Sequence, residues 1–172
     1  ARRLLQESLE HQRRARDRRG ESNALENLAL VAHLSGDADE AERLLEEVIR
    51  ITEEAGYRGL LAHALTTLGS VRVDRGDGAG ALAAYRTALN TACSVQDLPL
   101  ALTIVLGLAR AHARAGHREP AVQMLHLVRA HPACDEDTRR DADRLREELG
   151  ATEEPAAPVG EPVGLEDLRD LA

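Results

Sequence analysis

Apolar residues along this chain fall at i, i+3 and i+4, as in Ala24-Leu25-x-x-Leu28-Ala29 and Ala64-Leu65-x-x-Leu68-Gly69. That spacing is the period of a helix and not of a strand. A second face follows each of these, as in Ala41, Leu44, Leu45, Val48 and Ile49. The two faces alternate, and the whole pattern returns after 40 residues. Gly36, Gly76 and Gly116 share one column; Ala1, Ala41, Ala81 and Ala121 another; Leu5, Leu45, Tyr85 and Leu125 a third. Leu28, Leu68 and Leu108 align, followed at once by Ala29, Gly69 and Ala109, and Leu25, Leu65 and Val105 make a further column. No insertion or deletion interrupts the register between Ala1 and about Ala130. A repeat of this length built of helical faces predicts stacked helix pairs.

Each unit reads as helix A, a turn at the column glycine, then helix B. The glycine takes the left-handed conformation at a helix end without steric cost. Asp37 predicts an N-cap with Glu40 as the second half of a capping box. Asp77 caps the second unit more weakly, because Gly78 and Gly80 dilute helix propensity. Pro120 falls in the first turn of the third helix B, where a missing N–H is tolerated. The small column of Ala29, Gly69 and Ala109 predicts a close helix crossing. Helices are expected over 2–19, 22–35, 38–55, 60–75, 78–95, 98–115, 119–131 and 136–149. The array spans 1–149: an unpaired helix B at 1–20, repeats at 21–60, 61–100 and 101–134, and a capping helix at 136–149. Because Ala1 occupies the slot of Ala41, the reading expects a helix A, and more protein, before residue 1.

Leu65-x-x-Leu68-Gly69, Gly76 and Ala81-x-x-x-Tyr85-x-x-Ala88 together resemble the tetratricopeptide consensus, with longer units than the family's usual ones. The resemblance implies an all-α fold, a right-handed αα-superhelix of antiparallel helix pairs. LLQESLEHQRRARDRRG followed by ALENLALVAHLSGD resembles the repeat regions of bacterial STAND signal-transduction ATPases and large multidomain transcriptional regulators. AVQMLHLVRAHPACDEDTRRDADRLREEL is similar to the closing end of such arrays. In those proteins the repeats are the sensor or partner-binding arm, and a separate nucleotide-binding module does the chemistry. The implied function is therefore a protein- or peptide-binding module of a larger signalling or transcription-regulating protein, with partners in another protein or another domain of the same chain. Structural self-association is the alternative. In such arrays the concave face is lined by helix A positions beside the packing columns. Here these are Asn23, Glu26, Asn27, Leu30 and His33, then His63, Thr66, Thr67, Ser70 and Asp74, then Thr103, Leu106, Arg110 and Arg114. The strip is polar and mixed in charge, and does not match the carboxylate clamp of chaperone-binding relatives, which needs Lys and Asn at set positions.

Composition narrows the chemistry. Aromatic residues are 1% of the 172-residue chain, so the core must be built of Leu, Ala, Val and Ile. The net charge of −8 disfavours nucleic acid and anionic membrane as partners. All 22 Lys+Arg residues are Arg, so a phosphate-binding loop lysine is excluded. Cys93 and Cys134 form neither a CxxC pair nor a disulfide framework, and a cytoplasmic location is expected. No run of 18 apolar residues occurs. The pairs His112/His117 and His126/His131 are spaced five apart, poorly placed for one helix face, and no HExxH is present, so no metal site is expected. Gly76-Asp77-Gly78-Ala79-Gly80 lacks the preceding strand of a phosphate loop and reads as a turn. No catalytic constellation and no cofactor site emerge. Arg13, Arg14, Arg16, Arg18 and Arg19 are read as the basic end of the first helix, complementing its dipole.

Residues 150–164, with Pro155, Pro158 and Pro162, have linker composition. Leu165, Leu168 and Leu171 then mark a short amphipathic segment at 165–172. Leu4, Leu5 and Leu9 occupy the columns of Leu44, Leu45 and Ile49 on a helix that lacks its own helix A. The expectation is association through this end, as a homodimer or by capture of the 165–171 segment.

Overall fold

The computed structural model describes residues 2–151 and 164–169, and every regular element among them is a helix. In chain order these are α1 (Arg2–Ala15), α2 (Arg18–Leu34), α3 (Ala38–Ala55), α4 (Arg58–Arg75), α5 (Gly78–Ser94), α6 (Leu98–Arg114), α7 (Arg118–Ala130), α8 (Glu136–Glu148) and α9 (Leu165–Arg169). From α1 to α8 each helix packs on the next, and α2, α4, α6 and α8 also touch in succession. The molecule is a helical solenoid. Its A helices form one layer, its B helices α1, α3, α5 and α7 the other, and α8 takes the place of a fourth helix A.

The backbone repeats twice as often as the sequence. Arg16, Gly36, Gly56, Gly76, Gln96 and Gly116, spaced every twenty residues, all hold positive φ between 56° and 81°. The residue after each is the N-cap of the next helix: Asp17, Asp37, Tyr57, Asp77, Asp97 and His117. Four aspartates accept from the N–H three residues on, Gly20 at 2.9 Å, Glu40 at 3.2 Å, Gly80 at 2.9 Å and Leu100 at 3.1 Å. A 40-residue sequence repeat therefore carries two equivalent turns.

Three expectations change accordingly. The first helix stops at Ala15, not 19, and the second starts at Arg18, not 22, because Arg16 turns left-handed and Asp17 caps α2. Of the basic run, only Arg13 and Arg14 close α1, while Arg18 and Arg19 open α2 at the unfavourable end of its dipole. Asp17 and the buried Glu21 compensate: Glu21 pairs with Arg18 at 3.3 Å and with Arg13 at 2.9 Å, and Arg13 reaches on to Glu47 at 2.6 Å. The capping box at Asp37 is half formed, since the Glu40 carboxylate turns to Arg43 at 2.8 Å.

The core has two parts that meet along α4. One face of α4, with Ala64, Leu68 and Val71, packs with α2, α3 and Leu9. The other, with Ala62, Leu65 and Val73, joins α5 to α8 and Leu168. Leu68 is buried, as its column requires. Tyr85 fills the space beside the small column: a Cβ at Gly69 would lie 2.7 Å from its ring, and one at Gly107 2.4 Å from it. On α8, Ala142 and Leu145 are buried, and Leu149, which caps its end, is half-buried against the array. The segment α9 sits on α5 and α6, not on the N-terminal helices. Residues 152–163, most of the expected linker, and 170–172 lie outside the described residues.

Candidate binding face

The sequence-selected side chains lie on the successive A helices α2, α4 and α6. On α2, Asn23 and Asn27 are exposed, with the Asn27 amide donating to the Asn23 carbonyl at 2.9 Å. Glu26, half-buried, looks toward α4. Burial pushes its carboxyl above the usual range, and His63 and the Thr67 hydroxyl of α4 pull it back only in part. Leu30 is open to solvent, and Thr66 donates to its own helix at the Ala62 carbonyl, 2.7 Å away.

A polar chain crosses three helices farther along. His33 Nε2 of α2 lies 3.2 Å from one Asp74 oxygen of α4, and Arg114 of α6 lies 3.4 Å from the other. Below them the Ser70 hydroxyl and the Tyr85 phenol are 3.0 Å apart. Burial raises the Tyr85 phenol, and the Ser70 bond offsets part of that shift. Thus His33, Asp74 and Arg114 converge, as do Glu26, His63 and Thr67.

The third repeat departs from the expected open face, because α8 lies over α6. Thr103 is tied to Thr138 of α8 at 3.2 Å, and Leu106 is buried. Arg110 and Arg114 instead line a cleft of about 630 Å³ between α4, α6 and α8. Asp74, Asp141, Arg144 and Glu148 share its walls, with Leu145 and Leu149 among its lining residues. A shallower hollow of about 420 Å³ lies among His63, Thr66, Thr67 and Thr103, bounded by Asp97 and Asp135. The contributions of Asp141, Arg144 and Glu148 were missed because α8 reads as a polar cap. Its dense charge on a terminal helix was the available signal.

Among the described residues no three His, Cys, Asp or Glu side chains come together as a metal site. The His112 and His117 rings sit 5.7 Å apart at the α6–α7 turn, and burial and the neighbouring charge of His117 and Arg86 push His112 below its ordinary value. Cys93 and Cys134 have thiols raised by burial, the opposite of an activated nucleophile. No helix among the described residues is long and apolar enough to cross a membrane. The face carries hydrogen-bonding groups and paired charge.

Residues 1–54 match the tetratricopeptide repeat family model. The match covers α1, α2 and nearly all of α3, and α4 to α7 continue the same turn geometry. Tetratricopeptide repeats are non-catalytic scaffolds that generally mediate contacts between proteins. No curated protein matches the chain.

Proposed function

We propose that this chain is the protein- or peptide-binding arm of a larger bacterial signalling or transcription-regulating protein, working in the cytoplasm as a scaffold without catalysis. The supporting observation is the continuous polar surface that runs from α2 through Asp74 to the cleft under α8. Its side chains present both signs of charge beside the exposed Leu30, which suits an extended peptide with alternating polar and apolar groups. The test is selection of binders from a random displayed-peptide library, followed by titration of a selected peptide. Thr67→Arg and Asp74→Arg should each weaken it tenfold or more, about 1.4 kcal/mol. Glu46→Arg, on the exposed side of α3, should leave it unchanged. Peptides that bind all three variants equally, or a library that yields none, would overturn the reading.

Self-association is favoured by a separate observation. Leu4 is 68% exposed, whereas its column partners Leu44, Ala84 and Met124 are buried. Leu34 is 77% exposed at the same end. On this edge the columns of Leu4 and Leu5 are those whose members are buried in the other repeats.

A further inference from the structure

The segment α9 follows the capping helix α8, and its seat is specific. Leu168 is fully buried and Leu165 partly so, both against the core formed by α5 and α6. The Cys93 thiol, near the end of α5, donates to the Leu165 carbonyl at 3.3 Å. Glu166, Asp167 and Arg169 remain exposed. Two leucines three residues apart thus face a groove while the charged residues face water, the arrangement of an amphipathic helix laid on a helical surface.

Beside Cys93, near the end of α5, α9 packs on both α5 and α6. A five-residue helix does not persist alone in water. The Gly164 N–H donates to Asp167 at 2.9 Å and fixes the first turn, and the groove supplies the rest. One wholly buried side chain, Leu168, anchors this seat.

We propose that the α5–α6 groove is a docking site for a short helix with two leucines three residues apart, occupied in cis by α9 and open to the same pattern presented in trans when α9 releases. Tethering gives α9 an effective concentration of about millimolar, so a weak competitor is excluded and a stronger one displaces it. This surface is distinct from the face of α2 and α4, and its test is independent of that reading.

Cys93 reports the state of the groove, and Cys134, buried elsewhere in the core, reports opening of the array as a whole. Alkylation by N-ethylmaleimide, resolved by site in a mass spectrometer, should be at least tenfold faster at Cys93 in the full Leu168→Asp chain than in the parent, with Cys134 unchanged. The milder Leu168→Ser should give an intermediate rate. A synthetic peptide of residues 161–172 should restore protection of Cys93 in Leu168→Asp in a saturable way, and the peptide carrying Leu168→Asp should not. Equal Cys93 rates in the parent and both variants would overturn the cis seat. A released groove that the parent peptide fails to protect would overturn docking in trans.

Discussion

Tyr85 is fully buried, and its ring occupies the room left by two missing side chains, those of Gly69 and Gly107. In the neighbouring repeats the same pair of columns reads Ala29 with Leu45 and Ala109 with Leu125. The glycine of the second repeat is therefore matched to the tyrosine. Gly69→Ala should destabilise the protein by about 1–3 kcal/mol, since the ring has nowhere to move. In a Tyr85→Leu background the same change should become neutral or stabilise by up to about 1 kcal/mol, because alanine favours the helix. Urea unfolding of the four members of this cycle checks it, and additive effects would disprove the match. Both columns were legible in the sequence. Their coupling was not, because it depends on which side chain enters which gap.

The helix starts show the same matching at the next scale. Every aspartate that caps an array helix is bound by the N–H three residues on, yet α4 and α7 start without a side-chain cap. For α7 the reason is Pro120, which stands at that third position and has no N–H. For α4 the third position is Leu60, with its N–H intact, and only the side chain of Tyr57 is unsuitable. Tyr57→Asp should thus be more stable than Tyr57→Ala by about 0.5–2 kcal/mol, and His117→Asp should gain much less over His117→Ala. Thermal midpoints of the four variants decide it; a large gain at His117 would contradict the role given to Pro120. Asp37, Asp77 and Pro120 could be read from the sequence because a column glycine announces their turns. Asp17 and Asp97 were hidden behind Arg16 and Gln96, residues that seldom adopt the left-handed conformation their backbones hold here.

Over the whole molecule the two ends differ. The C-terminal end is closed by α8 and α9, with Leu145 and Leu168 buried. The N-terminal end exposes Leu4, Leu30 and Leu34. If this edge self-associates, the mean mass from light scattering should rise with concentration, and Leu4→Arg should hold the chain at monomer mass without lowering its helix content. A monomer at every concentration would remove self-association as a reading. The period selected positions on α2 and α4 that are all exposed or half-buried. It failed at Leu106 and Thr103 because α8 does not obey the columns, and its position over α6 follows from packing alone.

The scarcity of aromatic residues gives the molecule an optical asymmetry. It has no Trp and no Phe, and its two tyrosines are Tyr57, half-buried at the start of α4, and the wholly buried Tyr85. Tyr85 belongs to the core of α5 to α8, while the core around α2 and α3 contains no aromatic ring. Near-ultraviolet dichroism, which needs a chromophore held in a fixed asymmetric setting, thus comes chiefly from one half of the array. The other half is nearly dark at those wavelengths and is seen only through its peptide bonds. Light of two colours therefore watches two different regions of one chain.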